Sequence, residues 1–379
     1  MARIVRAWPS VLSAALVLLA FPPFNLGLLV FVALAPWLAT LRDADAKSAL
    51  KSSYAFGLTL GLGQMFFLMP FVSRWTGSYG LGLAPWLLTA FAFGLYFLLA
   101  GWLMWRAWRA GRPWAIPLIW AGVEFFRSYV PVFAFPWGLL ATPLWPLPQI
   151  VSSAYYGSIY LVSAWIMLPN LVLALFLLKE RPGAYRGHLT VFALVLMLSA
   201  LRYSTPIEGE RKVIVSGQPG VDLAFGRRED NDIAIREAVA QLSSLAQAGG
   251  ADLLVLPEGL VSAGASIPPA TNFDVPEEVP VLFGGQRGRD PKYQSAFAYD
   301  GKWSYADKTR LVIFGEFVPG RDWIPFLSSF NLPSGDLAAA DKIQTIEVAG
   351  IRVGAIICFE ALFHNIAATH ASNGARLLA

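Results

Sequence analysis

Long apolar runs fill the first 205 residues of the chain. Residues 7–41 hold no charged side chain, and Pro22-Pro23 interrupts that run, so we expect a helical hairpin with two membrane crossings there. Five further spans are plausible, at about 52–73, 84–105, 113–130, 157–178 and 188–202. The pattern therefore predicts a transmembrane domain of about seven helices over residues 1–205.

After residue 205, short β-branched runs alternate with polar segments. Residues 229–248 place apolar side chains at helical spacing and predict an amphipathic helix. The short apolar runs predict strands, at 212–216, 252–257, 281–285, 295–299, 343–348 and 352–357. Continuous apolar strands bounded by helices or hairpins indicate an α/β layer domain over 206–379 rather than an all-β barrel.

The composition supports two domains, one surrounded by lipid and one surrounded by water. Only 14% of the residues are charged and the mean hydropathy is +0.53, which is too apolar for an ordinary soluble protein. Residues 1–205 carry 14 Lys/Arg against 4 Asp/Glu, whereas 206–379 carry 15 against 21. Because the positive excess lies in short loops between apolar runs, it indicates membrane topology and not nucleic-acid binding.

The loop charges predict an orientation, because Lys and Arg concentrate on the cytoplasmic side. With the N-terminus inside, the outer loops hold only Arg74 and Arg127. The inner segments hold eleven basic residues: Arg3, Arg6, Arg42, Lys47, Lys51, Arg106, Arg109, Arg112, Lys179, Arg181 and Arg186. Seven crossings then place the second domain on the outer side of the membrane, in the periplasm or its equivalent.

Two features of the first domain are unusual for a membrane segment. Glu124 lies within a predicted span, where an ionised carboxylate is costly, and its expected partner is Arg127 one turn on. A pair at a helix end near the interface is the plainer alternative. Residues 131–150 are apolar but rich in proline, so we expect an interfacial or re-entrant loop. Such a loop could shape a lipid entrance, or serve only as an aromatic belt.

Three candidate reactive residues follow predicted strands. Glu258 and Cys358 each end an apolar strand, and Lys308 follows a strand and turn. Ligands of open α/β sheets lie at the carboxyl ends of strands. A thiol there becomes a nucleophile when a carboxylate takes its proton and a cation stabilises the oxyanion. A Cys-His pair with His364 or His370 is the competing interpretation.

The small numbers of cysteines and histidines limit the disulfides and metal sites that the chain can form. Cys358 is the only cysteine, so an intramolecular disulfide and a Cys-based zinc finger are excluded. Three histidines make a His-rich metal site unexpected, and we predict no metal and no cofactor. Each candidate alone also fits a bland role, as a buried small side chain, a cap or a solvated lysine.

The order and flanks of these residues resemble the carbon-nitrogen hydrolase (nitrilase) superfamily, and within it the apolipoprotein N-acyltransferase family. The resemblance is carried by Pro257-Glu258-Gly259, by the stretch from Asp307 to Gly320, and by Ile357-Cys358-Phe359-Glu360. Residues 314–319 are its most specific piece. In the first domain, residues 19–24, Glu124 to Arg127, and Phe135-Pro136-Trp137 also resemble the family.

The resemblance implies a multi-pass α-helical membrane domain followed by an α/β nitrilase-like (αββα sandwich) domain. It implies an enzyme that moves an acyl chain from a phospholipid to the N-terminal amine of the diacylglyceryl-cysteine of an apolipoprotein. By matching position, Glu258 is the general base, Lys308 the oxyanion-stabilising cation and Cys358 the nucleophile that carries a thioester. Glu316 and Glu360 match two further acidic residues, one of which would orient Lys308 or assist proton transfer.

Three aromatic residues are candidate lipid contacts. Phe225 falls where the family often has a mobile-loop tryptophan, Phe359 replaces the usual tyrosine after the nucleophile, and Trp137 belongs to the proline-rich loop. An apolar lid over 311–333, with Trp323, Ile324, Phe326, Leu327 and Phe330, could keep water from a thioester. Ordinary core packing or interfacial anchoring is the alternative for that segment.

The chain also departs from the family pattern. Ile313 and Arg310 replace a common proline and histidine, changes that look tolerable. The family continues beyond the position of Ala379, so we expect the second domain to be incomplete at its C-terminal end. Two other functions stay open: a membrane-tethered amidohydrolase acting on a small amide, and a membrane protein that binds a partner without catalysis.

Overall fold

The computed structural model describes residues 7–130, 133–206, 208–222, 228–264, 267–321, 323–325, 332 and 335–379. The chain divides into two compact units, Met1–Ile207 and Glu208–Ala379. The first is helical and the second contains the β-sheets. The predicted class, a helical membrane region followed by a region with sheets, is confirmed at this level.

The helices of the first unit follow the long apolar runs. They are α1 (Trp8–Ala20), α2 (Ala35–Asp43), α3 (Ala46–Gln64), α4 (Leu68–Thr76), α5 (Tyr79–Arg109), α6 (Ile116–Tyr129), α7 (Pro148–Val151), α8 (Ala154–Leu177) and α9 (Arg186–Ser204). Short 3-10 helices lie at Gly27–Phe31, Pro113–Ala115, Thr142–Leu144 and Pro182–Ala184. Within α8, Gly157 and Ser158 have non-helical backbone angles, so a kink separates its first residues from the rest.

Three helices among the described residues are long and apolar enough to cross a membrane: α5, α8 and α9. The pair α3 and α4 adds a fourth candidate if it counts as one span bent by 48°. The predicted hairpin over 7–41 instead contains α1 and α2, both shorter than the roughly 20 residues of a straight crossing. The count of seven crossings stays a prediction.

Glycines allow α3 and α5 to approach closely. A Cβ atom at Gly57 would lie 2.6 Å from the carbonyl oxygen of Phe93, and one at Gly61 would lie 2.8 Å from the Cα of Ala90. Small residues spaced four apart let helix backbones pack together in membranes, where dispersion and not water exclusion drives association. We infer that this glycine pair fixes the register between α3 and α5.

Residues 133–147, which the sequence predicts to be a loop, form an irregular segment with one 3-10 turn. Helix α6 holds this segment at two points. One carboxylate oxygen of Glu124 accepts the N–H of Leu140 at 2.7 Å, and the carbonyl of Arg127 accepts the N–H of Phe135 at 3.0 Å. Glu124 and Arg127 are only 3% and 2% exposed. The two side chains interact electrostatically, as the sequence predicts, but the contact to Leu140 was not foreseen.

We expect Glu124→Ala to destabilise the first unit strongly. The substitution leaves the Leu140 N–H without its acceptor and the buried Arg127 guanidinium without a nearby negative charge. Leaving a buried charge without a compensating charge costs about 3–5 kcal/mol. Thermal unfolding in detergent should therefore show a clearly lower midpoint. Glu124→Gln keeps an acceptor oxygen and should lose less; equal midpoints for the two variants would contradict this account.

The second unit contains two sheets. Its strands are β1 (Ile214–Ser216), β2 (Leu253–Val255), β3 (Val261–Gly264), β4 (Val281–Arg287), β5 (Tyr293–Tyr299), β6 (Trp303–Asp307), β7 (Ile346–Val348), β8 (Ile351–Gly354) and β9 (Leu377–Leu378). The first sheet has the order β1-β2-β4-β5-β6, with β3 paired to β4, and the second has the order β7-β8-β9. Strands β3, β6 and β9 were not among the predicted strands.

The directions of the strands in the first sheet determine which strand ends lie side by side. Strands β1, β2 and β4 are parallel, while β5 is antiparallel to both β4 and β6. Strand β6 therefore runs in the same direction as β2. The carboxyl ends of β2 and β6 lie at one edge of the sheet, and the residues that follow them share that edge.

Both faces of the first sheet are covered. Helix α10 (Arg228–Ala248), which matches the predicted helix, packs Ile235 and Val239 against Leu254 and Phe283 in one core cluster. The opposite face packs against the second sheet in another cluster. Helix α11 (His364–Ser372) contacts β8 of the second sheet. This layering holds the loops that follow the strands in fixed positions.

Candidate active site

The structure brings Glu258, Lys308 and Cys358 together. Glu258 lies three residues after β2, Lys308 directly follows β6, and Cys358 begins a 3-10 helix (Cys358–Leu362) after β8. The Nζ atom of Lys308 lies 3.8 Å from Oε1 of Glu258. Cys358 and Glu258 line the same cavity, and the thiol and the carboxylate interact electrostatically. Glu258 thus faces both the ammonium and the thiol.

The backbone at Cys358 is sharply turned. Its φ angle is +53°, in the left-handed region that residues with a side chain occupy rarely. Strain of this kind persists where surrounding contacts fix it, and it is concentrated at functional sites. The turn keeps Cys358 exposed although the strand before it is buried. A substrate carbonyl can therefore reach the thiol.

The Lys308 side chain is completely buried, and an ion pair holds its ammonium group. Its Nζ atom lies 2.7 Å from Oε1 of Glu316, while Oε2 of Glu316 accepts the N–H of Val312 at 2.9 Å. The Lys308 backbone N–H donates to the carbonyl of Gln294 on β5 at 2.8 Å. The ammonium is therefore fixed in position before any substrate arrives.

Glu360 joins the cysteine turn to the lysine segment. Its Oε1 atom accepts the backbone N–H and the hydroxyl of Thr309, at 2.8 and 2.7 Å, and the N–H of Arg310 at 3.1 Å. Its Oε2 atom accepts the N–H of Ile357 at 3.0 Å. Of the two acidic residues singled out in the sequence, Glu316 contacts Lys308, whereas Glu360 fixes the backbone beside it.

The end of β6 is held by a second charged cluster. Asp307 accepts hydrogen bonds from Nε and Nη2 of Arg287, at 3.0 and 2.5 Å, and from the Ser295 hydroxyl at 2.6 Å. The Arg287 guanidinium also lies over the rings of Tyr293 and Tyr305. A two-point Arg–carboxylate pair is geometrically specific. It fixes the residue that precedes Lys308, a contribution the sequence analysis missed.

A cavity of about 250 Å³ opens beside the thiol and the carboxylate. Beyond Glu258 and Cys358 its lining is mostly apolar or backbone: Ser216, Gly217, Gln218, Val255, Leu256, Pro257, Leu282, Phe283, Gly284, Ala296, Ala355, Ile356, Ile357 and Ala379. An apolar cavity with a few converging polar groups is the usual form of a small-molecule site.

Gly284 on β4 supports the position of Glu258. A Cβ atom at Gly284 would lie 2.6 Å from the Cα of Glu258, closer than real Cβ contacts come. The paired glycines Gly284 and Gly285 inside a strand were a sequence signal for such a close backbone approach.

We expect Gly284→Ala to lower turnover about 100-fold while the protein stays folded. The added methyl group must displace the Glu258 backbone, and a shift of about 1 Å at a catalytic group costs about that factor. Steady-state kinetics and a thermal unfolding curve on the same preparation test this. Unchanged kcat/KM in a folded Gly284→Ala protein would contradict it.

Burial raises the pKa of the Cys358 thiol above its usual value, and the negative charge of Glu258 raises it further, while Lys308 opposes both. Burial also raises the pKa of Glu258, against the lowering effects of Lys308 and of the thiol. The resting thiol is therefore protonated at neutral pH, and the carboxylate is a stronger base than an exposed glutamate. The raised pKa of Glu258 favours proton transfer from thiol to carboxylate, whereas the raised pKa of the thiol opposes it.

Alkylation of the single cysteine by iodoacetamide should follow these shifts. The rate should keep rising with pH beyond about 8.5, the usual thiol pKa, because the thiolate forms late. Glu258→Gln removes a negative charge and should lower the thiol pKa, so its alkylation at pH 8 should be faster. A plateau below pH 7 in the unsubstituted protein would contradict the assignment.

The structure also describes a histidine and an aromatic residue that the sequence analysis singled out. His370 is buried, its ring packs where a Cβ of Gly354 would be, and it interacts with Glu360, so it has the position of a structural histidine. Phe359 packs edge-on against Phe363 at 5.1 Å. No group of three or more potential metal ligands occurs within the described ranges.

The candidate lipid contacts lie in different parts of the chain. Trp137 is stacked between Phe67, at 5.0 Å, and Phe135, at 6.1 Å, in the first unit. Trp323 is 88% exposed and Ile324 is 45% exposed, as a lid or an interfacial anchor requires. Phe225, Phe326, Leu327 and Phe330 lie outside the described residues. Contact with lipid stays a prediction for all of them.

The fold and the site define a class of protein with a helical unit that contains candidate membrane-spanning helices and an α/β unit that groups a cysteine, a glutamate and a lysine. Residues 13–172 match the family model of the apolipoprotein N-acyltransferase N-terminal domain. The chain is also similar to the apolipoprotein N-acyltransferases of Geobacter metallireducens, Azotobacter vinelandii and Pseudomonas aeruginosa, with 25%, 28% and 25% identity. The alignments cover 97–98% of this chain and 75–77% of the relatives.

The resemblance inferred from the sequence is therefore confirmed over nearly the whole chain. The relatives are named as N-acyltransferases of apolipoproteins, which supports an acyltransferase enzyme associated with membranes.

Proposed function

We propose that this protein acylates lipoproteins: it takes an acyl chain from a phospholipid and transfers it to the N-terminal amine of a diacylglyceryl-cysteine. The observation that carries the proposal is the exposed Cys358 thiol in one cavity with the Glu258 carboxylate, which lies 3.8 Å from the buried ammonium of Lys308. Similarity to N-acyltransferases gives this cluster its substrate class.

The first half-reaction forms a thioester. Glu258 takes the thiol proton, and the sulfur of Cys358 attacks the ester carbonyl of the phospholipid. The ammonium of Lys308 stabilises the oxyanion of the tetrahedral intermediate. When the intermediate collapses, the C–O bond breaks and the departing lysophospholipid oxygen takes the proton from Glu258.

The second half-reaction forms an amide. Glu258 takes one proton from the incoming ammonium, and the neutral amine attacks the thioester carbonyl. Collapse breaks the C–S bond; the thiolate takes the proton held by Glu258, and the nitrogen loses its second proton to solvent. The scheme is ping-pong, because the first product leaves before the acceptor reacts.

The charge distribution around Lys308 keeps Glu258 available as a base. Lys308 lies 2.7 Å from Glu316 but 3.8 Å from Glu258, so Glu316 is its main counter-ion. A carboxylate fully paired with Lys308 would be a weaker base, since the cation lowers its pKa. Because Glu316 is the counter-ion of Lys308, Glu258 stays available as the general base.

The proposal also assigns roles to the two domains and a location to the protein. Residues 1–205 form the membrane domain and 206–379 a nitrilase-like catalytic domain, supported by the layering of α10, two sheets and α11. The excess of basic residues in alternate loops favours a bacterial inner membrane with the catalytic domain in the periplasm.

A reconstituted acyl-transfer assay tests the proposal. The full chain is incubated in mixed micelles with a phospholipid of defined acyl chains and a synthetic diacylglyceryl-cysteine peptide, and the peptide is analysed by mass spectrometry. We expect one added acyl group on its amine, absent with Cys358→Ala. The assay also includes Glu258→Gln. Its matched control is Glu347→Gln, which changes an exposed carboxylate paired with Arg352.

A parallel incubation with small soluble amides completes the assay, and every outcome other than acylation of the peptide contradicts the proposal. Turnover of small amides without dependence on phospholipid would identify a membrane-tethered amidohydrolase with the same three residues. No product from either substrate class, in a folded protein, would favour a binding protein without catalysis.

A further inference from the structure

A groove of about 500 Å³ lies in the first unit between α6, α8 and α9. Its walls are almost entirely apolar and include Trp114, Leu118, Leu161, Trp165, Leu168 and Val195. The groove follows α9 from Gly187 to Val195, a length of about 12 Å at 1.5 Å per residue. Only 6% of the apolar window of α9 is buried, so this helix offers most of its surface to the bilayer.

One polar side chain lies within this apolar groove. Neither ring nitrogen of His188 is accessible to solvent; the ring lies close to the backbone of Ala184, but neither nitrogen makes a hydrogen bond of normal distance and angle among the described residues. A buried polar group without a partner costs free energy that a ligand atom can recover. The imidazole can donate to an ester or phosphate oxygen at the groove wall.

Basic side chains flank the same end of the groove. Arg181 and Arg186 are exposed and adjoin the segment Pro182–Ala184, whose Gly183 and Ala184 line the groove. Lys179, two residues earlier, is exposed as well. Long basic side chains at helix ends extend to the headgroup region while their stems stay in the apolar layer. Positive charge thus lies at the end of the groove where a headgroup would be.

We propose that this groove binds one anionic phospholipid of the surrounding leaflet. One acyl chain lies along α8 and α9, and the headgroup phosphate meets His188, Arg181 and Arg186. Basic pockets between membrane helices recognise anionic headgroups in this way. Under the orientation proposed above, the leaflet is the cytoplasmic one, so the ligand is distinct from an acyl donor on the periplasmic side.

Two substitutions separate the chain-binding part of the site from the headgroup part. Gly187→Leu places a side chain in the groove, and the structure leaves space for it, since no atom lies within 4 Å of a Cβ at Gly187. Gly122→Leu, equally unobstructed and outside the groove, is its control. Arg181→Gln/Arg186→Gln removes two headgroup charges, and Lys47→Gln/Lys51→Gln removes two exposed charges from α3.

Native mass spectrometry of the full chain in detergent measures the retention of phosphatidylglycerol against phosphatidylcholine with identical acyl chains. All variants carry Cys358→Ala as well, so that acyl transfer cannot consume the lipid and the test is independent of the proposed function. We expect preferential retention of phosphatidylglycerol. Arg181→Gln/Arg186→Gln should weaken it about 30-fold, to the level of phosphatidylcholine. Gly187→Leu should reduce retention of both lipids.

The control variants should behave as the parent protein does. Equal retention of the two lipids by the parent, or equal loss in the matched controls, would overturn the proposal. Retention of phosphatidylglycerol that is unaffected by Gly187→Leu would show binding elsewhere on the helical surface and would overturn it too.

Discussion

Replacing Cys358 by serine should lower acyl transfer by about 10⁴-fold or more. The hydroxyl is far less acidic than the thiol, and Glu258 is too weak a base to remove its proton, so no thioester equivalent forms. Cys358 is exposed, and serine differs from it by one atom, so stability should change by less than about 0.5 kcal/mol. The rates of product formation and the unfolding midpoints of both proteins are measured side by side.

The contrast between activity and stability makes this test informative. A loss of activity with an unchanged midpoint assigns Cys358 to the chemistry. Retention of more than about a tenth of the activity would contradict the covalent scheme, because a nucleophile cannot be dispensable in it.

Replacing Lys308 by methionine should lower kcat by about 10²–10³-fold, the usual effect of removing one oxyanion-stabilising group. The acidic limb of the pH profile should also move. The charge of Lys308 lowers the pKa of Glu258, so its removal raises that pKa, and activity is then lost at a higher pH as the pH falls. The dependence of kcat/KM on pH in both proteins measures this shift.

Stability needs a separate control, because Lys308→Met leaves Glu316 largely buried with no cation beside it. An unpaired buried charge costs about 3–5 kcal/mol. Lys308→Met/Glu316→Gln removes that charge and should recover much of the stability. We expect no recovery of activity. If the double variant recovers both, Lys308 is a structural residue and not a catalytic one.

The sequence could predict the elements with long or strongly periodic patterns. The long apolar runs at 84–105, 157–178 and 188–202 lie on α5, α8 and α9, and the helical spacing at 229–248 lies on α10. Strand ends could be predicted as well, which placed Glu258 and Cys358 at the ends of apolar strands. Short strands such as β6 were missed, because five residues of mixed polarity carry little pattern.

Contacts with backbone groups could not be predicted. Glu124 was expected to pair with Arg127 by helical spacing, but its hydrogen bond to Leu140 depends on an irregular segment that no periodicity describes. Likewise, two acidic residues were expected near the site, and only geometry assigns Glu316 to the ammonium and Glu360 to backbone N–H groups. Backbone donors are the same for every residue type except proline, so the sequence does not mark them.

The most direct measurement is the mass of the intact protein after incubation with phospholipid in micelles, without any acceptor. The account predicts an adduct equal to one acyl chain, removed by hydroxylamine and absent from Cys358→Ala. Addition of a diacylglyceryl-cysteine peptide should discharge the adduct onto the peptide amine. A folded protein that transfers acyl chains yet never carries an adduct on Cys358 would contradict the central claim.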